Sequence, residues 1–163
     1  MLRSGANAVR RNHALEHATV AVLLARHGPT RLAGRASGDG FFLLGDIDAD
    51  ELVDCAREAL RRLQAGQATL AVSPLCGTNI AVAGVLAAGA ATAVLATGAL
   101  RERFANAFVA AMLGVIVAQP VGRLVQQHFT TSPDLRGVEI VGLRTVAGRL
   151  RKVHTRTARA VAS

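Results

Sequence analysis

The strongest pattern in this sequence is a pair of long uncharged runs separated by three charged residues. Residues 78–100 contain 23 consecutive positions without a charge, and residues 104–122 are uncharged again. Because an α-helix rises about 1.5 Å per residue, 23 residues span roughly 35 Å, which exceeds the roughly 30 Å hydrocarbon core of a bilayer. The pattern predicts a transmembrane helical hairpin over residues 78–122 that turns at the charged residues 101–103. The alternative is a buried core hairpin, for which so short a chain offers little surrounding protein.

Small residues recur at four-residue intervals in both arms of the predicted hairpin. The two rows are Gly84, Ala88 and Thr92 in the first arm, and Ala110, Gly114, Ala118 and Gly122 in the second. Such rows let helix backbones approach closely, which is how membrane helices gain contact where lipid removes the hydrophobic drive. We therefore expect the two arms to pack against each other, with a homodimer as the competing use of the same faces.

The rest of the chain has the mixed periodicities of a small α+β domain. Helical patterns cover residues 7–27 and 49–65, and the second is opened by Asp48 as an N-cap and closed by Gly66. Alternating apolar and polar runs predict four strands. These runs are residues 30–37, 41–45, 67–73 and 138–146. A turn at the Gly-Asp-Gly sequence of residues 38–40 joins the first two strands.

This order of elements predicts the fold class α+β, with two helices and about four strands in one cytoplasmic domain. Residues 1–77 and 123–148 supply that domain, and the hairpin of residues 78–122 interrupts it. Residues 149–163 carry five basic residues and no acidic one, which predicts a basic tail near anionic membrane lipid. Nucleic-acid binding is disfavoured because no aromatic stacking residues accompany these charges.

The distribution of charge predicts the orientation of the hairpin. Seventeen basic residues lie in segments 1–77 and 123–163, against two at the turn between the uncharged runs. The positive-inside rule therefore places both termini in the cytoplasm. The chain has two cysteines, Cys55 and Cys76, and they form no disulfide framework, as expected in a reducing compartment.

The first predicted helix carries the most specific chemistry in the sequence. Helix positions three and four apart share one face, so His13, Glu16 and His17 lie together, where they interrupt an apolar stripe. Burying a polar group without a partner costs roughly 2–7 kcal/mol, and a bound divalent metal is an economical compensation for all three. The alternatives are a histidine pair held by hydrogen bonds to Glu16 and the main chain, or a solvated helix face.

Cys76 is the predicted third metal ligand. It follows a predicted strand and precedes the first uncharged helix, whose N-terminal dipole favours a thiolate. Asp46 and His128 are the substitutes for this role. Cys76 is otherwise a reactive thiol, or a small buried spacer as free cysteines usually are.

The H-x-x-E-H order of residues 13–17 resembles the motif of the inverted zincins, which are metallopeptidases. The resemblance implies zinc as the cofactor, His13 and His17 as its ligands, and Glu16 as the general base that activates water. It covers five residues, and the downstream glutamate ligand of that family has no clear counterpart here. The function it implies is a membrane-anchored, metal-dependent hydrolase, most simply a peptidase that acts near the membrane face.

Most of residues 10–145 also resembles a family of uncharacterised two-span bacterial membrane proteins. This resemblance rests on the run His-Ala-Leu-Glu-His-Ala-Thr at residues 13–19 and on Cys-Gly-Thr-Asn at residues 76–79. It implies a location in the bacterial inner membrane and carries no established activity. The alternative function is a non-catalytic assembly factor or complex subunit with a membrane-protein partner. In that alternative the His-Glu-His cluster is structural or binds a metal or haem.

Overall fold

The chain divides into two compact units. The computed structural model describes residues 2–96 and 100–157, with side chains over residues 5–96 and 103–157. One unit is built from the described residues up to 73 and from 129 onward, and the other from residues 74–128.

The first unit contains two helices, one 3₁₀ turn and a four-stranded sheet. In chain order these are α1 Leu2–His27, β1 Ala33–Ser37, β2 Gly40–Leu44, α2 Ala49–Gln64, the 3₁₀ turn Ala68–Ala71, β3 Val138–Ala147 and β4 Leu150–Thr157. The sheet is antiparallel throughout, with the strand order β1-β2-β4-β3. The predicted α+β class is therefore confirmed, and the numbers of helices and strands in the domain agree with the prediction.

The core of the first unit lies between its helices and one face of the sheet. Side chains alternate along a strand, so Phe41 and Leu43 of β2 face the same side as Val153 of β4, and all three are buried. They belong to one core cluster with buried residues of both helices, including Leu15 and Leu52. Burial of this apolar face is the main driving force that fixes the strand register.

α2 begins where the sequence predicts. The Asp48 side chain accepts hydrogen bonds from the main-chain N–H groups of Asp50 at 2.9 Å and Glu51 at 3.4 Å. These N–H groups have no partner within the helix, so the cap stabilises its first turn. Cys55 lies on the buried face of α2, where burial raises the pKa of its thiol, and it is a neutral core residue.

Two of the strand predictions are wrong. Residues 67–73 contain the 3₁₀ turn Ala68–Ala71 in place of a strand, and the expected basic tail contains β4 in the interior of the sheet. Val153 is the one fully buried side chain of β4, so the apolar pattern of this basic strand is too sparse to identify it. Main-chain pairing with β2 and β3 holds the strand instead. The last residues of the expected tail, 158–163, lie outside the described part of the chain.

Polar contacts also hold β4 in place. Asn12 of α1 donates from Nδ2 to the Ser37 carbonyl of β1 at 2.7 Å and accepts from Thr155 Oγ1 of β4 at 2.7 Å. Asp39, in the turn between β1 and β2, accepts at its main-chain carbonyl from Thr155 N at 2.9 Å. Its carboxylate lies 2.6 Å from Lys152 Nζ. Hydrogen bonds from Lys152 and then Ser37 lower the pKa of Asp39 to about 2.

The second unit contains two helices long and apolar enough to cross a membrane. They are α3 Gly77–Leu95 and α4 Leu100–Val125, and the π-helical turn Gln126–Thr130 follows α4 in the chain. The segments that meet this criterion are Gly77–Leu95 and Arg103–Thr130, and 6% and 11% of the most apolar 18-residue stretch in each is buried. A core helix of a soluble protein is mostly buried, so this exposure disfavours the alternative of a buried hairpin.

The charged residues 101–103 lie in the first turn of α4, and the prediction that they form the connection between the helices is wrong. α3 ends at Leu95, with Ala96 as its C-cap, and residues 97–99 lie outside the described part of the chain. Arginine and glutamate are good helix formers, so their charge interrupts the uncharged run without excluding them from a helix.

Small residues of α4 bring its backbone against α3. A Cβ added at Gly114 would lie 2.8 Å from the Leu86 carbonyl oxygen, and one added at Gly122 would lie 2.1 Å from Asn79 Oδ1. Asn79 Oδ1 also accepts a hydrogen bond from Gln126 Nε2 at 2.8 Å, in a buried position. The predicted packing of the two arms is therefore confirmed for the row on α4. It is wrong for the row on α3, because Gly84, Ala88 and Thr92 are exposed.

Replacement of Gly114 by alanine is expected to destabilise the helical pair. The new methyl group overlaps main-chain atoms of Leu86, which move only if the helices separate, and overpacking of this kind costs about 1–3 kcal/mol. Gly84→Ala is the matched control, because nothing lies within 4 Å of a Cβ at that position. Thermal unfolding in one detergent compares both variants with the wild type, and an unchanged melting temperature for Gly114→Ala would contradict the close approach.

Candidate metal centre

Three polar residues predicted from the sequence lie together on α1. His13, Glu16 and His17 occupy one face of the helix, and Glu16 and His17 are 7% and 4% exposed. The imidazole rings of the two histidines have their centroids 4.3 Å apart. Two polar rings and a carboxylate are therefore largely removed from water, and each needs compensation within the protein.

Main-chain carbonyls from two separate segments hold the histidine rings. His13 Nδ1 lies 3.0 Å from the Thr130 carbonyl oxygen, and His17 Nδ1 lies 2.9 Å from the Ala71 carbonyl oxygen. A carbonyl only accepts hydrogen bonds, so each Nδ1 is the donor, and in a neutral imidazole Nε2 then carries the lone pair. A hydrogen bond from one ring nitrogen that leaves the other as a ligand is the usual arrangement of metal-binding histidines.

Both carbonyls belong to irregular backbone. Ala71 ends the 3₁₀ turn Ala68–Ala71, and Thr130 ends the π-helical turn that follows α4. Carbonyls at the ends of such turns lack a regular helical partner, so they are available to the imidazoles. The sequence did not reveal these two contacts. Residues 67–73 alternate like a strand, and nothing in the Gln126–Thr130 sequence indicates a π-helical turn.

The carboxylate of Glu16 lies between His13 and the edge strand β1. Its Oε2 is 4.0 Å from His13 Nε2, which is too long for a hydrogen bond. A Cβ added at Gly34 of β1 would lie 2.0 Å from Glu16 Oε1 and 2.5 Å from its carboxyl carbon. Glycine at position 34 therefore provides the space that the carboxylate occupies.

A buried hydroxyl beside the histidines adds to the polar character of this region. Thr130 Oγ1 is inaccessible to solvent and has no hydrogen-bond partner among the described residues, while the carbonyl of the same residue contacts His13. A buried hydroxyl without a protein partner is costly unless a water satisfies it.

The other predicted ligands lie in different surroundings. Cys76 is 7% exposed and is the N-cap of α3, where its Sγ accepts from Thr78 N at 3.4 Å. Asp46 forms an exposed ion pair with Arg149 at 3.4 Å and lines a cavity of about 220 Å³ with His27. His27 is ten residues from His17, or about 15 Å along α1, so Asp46 is not brought to the histidines. His128 is exposed in the second unit.

The fold and the site define the class of protein: an α+β domain with a preset histidine pair, on a chain with two helices of membrane-crossing length. The chain belongs to the family described as Domain of unknown function (DUF6391), which matches residues 8–143. The matched residues include the histidine pair and both long helices, whereas β4 lies beyond them. The predicted resemblance to a family of uncharacterised proteins is confirmed, and the match does not test a membrane location.

One relative is similar to this chain over most of its length. It is an uncharacterised protein of Picosynechococcus sp. (strain ATCC 27264 / PCC 7002 / PR-6), 39% identical over 139 residues. The similarity covers 78% of this chain and 67% of the relative. No solved structure matches the chain.

Proposed function

We propose that this protein is an integral membrane metalloprotein in which His13, His17 and Cys76 hold one zinc ion. The observation that carries the proposal is the pair of Nδ1 hydrogen bonds to main-chain carbonyls. These bonds leave the Nε2 atom of each ring as the metal ligand. The imidazole rings of His13 and His17 have their centroids 4.3 Å apart, and Cys76 is the third ligand that the sequence predicts. Imidazole and thiolate ligands together favour zinc over magnesium or calcium.

The proposed activity is metal-dependent hydrolysis, with a peptide bond as the simplest substrate. Zinc held by His13, His17 and Cys76 would supply a Lewis acid that polarises the substrate carbonyl. Glu16 accepts the proton of the attacking water and later returns it to the leaving amine, which is the work of a general base and acid. Its carboxylate oxygen Oε2 lies 4.0 Å from His13 Nε2, so the proposed general base is close to a proposed zinc ligand.

A second candidate function is a non-catalytic subunit or assembly factor in which the same cluster is structural. The observation in its favour is the tight fit of Glu16 over Gly34, because a carboxylate packed against main chain also serves to join α1 to β1. In this function the fourth ligand position is closed, and no substrate reaches Glu16.

Replacing Glu16 separates the two functions. In a hydrolase Glu16→Gln retains zinc and the fold, because the amide fills the same space, but turnover falls by roughly 10²–10⁴-fold for loss of a general base. His13→Ala loses both zinc and turnover. Metal content, melting temperature and cleavage of a peptide library are measured on the same preparations. Glu139→Gln is the matched control, since Glu139 is an exposed glutamate on β3 in an ion pair with Arg156.

Gly34→Ala provides an independent check that does not alter a polar group. The added methyl group displaces the Glu16 carboxylate but leaves both histidines and their carbonyl partners unchanged. The hydrolase proposal predicts retained zinc with reduced turnover, and the structural alternative predicts a lower melting temperature with no activity to lose. Loss of zinc in Glu16→Gln, or no turnover by the wild type with any divalent metal, counts against the hydrolase.

We also propose that α3 and α4 cross the bacterial inner membrane and that both termini are cytoplasmic. The supporting observations are the length and exposure of the two helices, together with the charge distribution: 17 basic residues lie in segments 1–77 and 123–163, against two at the start of α4. Membrane lipid is then the partner of the exposed apolar side chains. A homodimer through the exposed face of α3 that carries Gly84 is the alternative to lipid contact there.

Cysteine labelling in intact cells tests this orientation. Single cysteines at Ser163 and Glu102 are treated with a membrane-impermeant thiol reagent, and labelling is expected at position 102 but not at position 163. The unsubstituted protein is the control, because Cys55 and Cys76 are both buried. Labelling of position 163 from outside, with position 102 protected, contradicts the proposed orientation.

A further inference from the structure

The face of the sheet opposite the core carries a row of three basic side chains and one phenylalanine, with one residue from each strand. Strand pairing places Arg35 beside Phe42, Phe42 beside Lys152, and Lys152 beside Arg144. Phe42 and Lys152 alternate with the buried core residues of β2 and β4, so the row projects from the other face. The segment 138–157, which contains β3 and β4, has five basic residues and one acidic residue.

Part of this charge is not neutralised by neighbouring acids. Lys152 is paired with Asp39, but Arg35 and Arg144 are exposed and take part in none of the ion pairs of the described residues. Exposed apolar side chains accompany them, with Leu44 on β2 and Val141 on β3 48% and 51% exposed. A surface that combines unpaired guanidinium groups with exposed aliphatic side chains suits the headgroup region of a membrane.

Nucleic acid is a poorer fit to the same row. Binding of single strands depends on aromatic rings on which bases stack. Phe42 is the aromatic residue of the row, and one of its faces is covered by Lys152 Nζ at 4.9 Å from the ring centroid. The basic row therefore lacks an open aromatic surface on which nucleic-acid bases could stack.

We infer that the Arg35–Arg144 face of the sheet binds the phosphate groups of anionic phospholipids. Guanidinium groups form bidentate hydrogen bonds with phosphate, and each basic residue near an anionic surface adds measurably to binding. The inference rests on the proposed membrane location, because the two long helices keep the domain on the same chain as a membrane anchor. It is independent of the metal centre. It also replaces the expected basic tail with a folded surface, since β4 supplies Lys152 and β1 and β3 supply the two arginines.

The test uses the full chain in neutral detergent with a tryptophan placed at Val141. The natural sequence has no tryptophan, so the emission of Val141→Trp reports on this face alone. Short-chain phosphatidylglycerol is titrated in parallel with phosphatidylcholine of the same acyl length. Half-saturation is expected at a lower concentration of the anionic lipid, and added salt should reduce the difference.

Two paired variants in the reporter background make the test specific. Arg35→Gln with Arg144→Gln is expected to raise half-saturation by phosphatidylglycerol roughly 10- to 30-fold, from the contribution of two basic residues near an anionic surface. Arg57→Gln with Arg61→Gln removes the same amount of charge from the helix α2 and should leave half-saturation by phosphatidylglycerol unchanged. Arg35→Lys with Arg144→Lys keeps the charge and should retain most of the binding, which separates lost charge from misfolding.

Several outcomes would overturn the inference. They are equal response to both lipids, an unchanged response in the glutamine pair, an equal loss in the α2 pair, and tighter binding of an oligonucleotide than of phosphatidylglycerol. Zinc content is measured on every variant, and failure of the metal proposal leaves the lipid result unaffected. The proposed membrane location is tested separately by alkaline washing of membranes. Release of the protein by this treatment contradicts the membrane anchor, whereas the lipid titration tests the Arg35–Arg144 face.

Discussion

The candidate centre depends on two hydrogen bonds from imidazole Nδ1–H groups to main-chain carbonyls. The carbonyls of Ala71 and Thr130 are 54 and 117 residues from their histidine partners, so the fold must be complete before either ring is oriented. Once oriented, each ring has a fixed tautomer and a lone pair on Nε2. The same bonds satisfy two buried donors, so the proposed site and the stability of α1 within the domain share one physical cause.

The sequence identifies features that are local and repetitive. The uncharged runs predict α3 and α4, the spacing of His13, Glu16 and His17 places them on one helix face, and Asp48 marks the start of α2. These predictions succeed because helix periodicity and capping depend on residues within a few positions of one another. The packing of small residues on α4 follows the same logic, since a four-residue row defines one face.

Features that depend on distant partners are not visible in the sequence. β4 is held by main-chain pairing on both sides and by Asn12, so its basic side chains resemble those of a solvated tail. The 3₁₀ and π-helical turns contribute main-chain carbonyls to the site. Because every residue has a main-chain carbonyl, the side chains of these turns do not indicate that role. The position of the Glu16 carboxylate over Gly34 likewise results from the packing of α1 against β1, which the sequence does not show.

X-ray absorption spectroscopy at the zinc edge of the purified full chain distinguishes the proposed zinc centre from a metal-free histidine pair. We expect one bound zinc with two imidazole nitrogens at about 2.0–2.1 Å, one sulfur at about 2.3 Å and a light atom from solvent or substrate. A Cys76→Ser variant should lose the sulfur scattering while the imidazole signal remains. A preparation without metal after growth in zinc, or a coordination shell without imidazole nitrogen, would contradict the proposed centre.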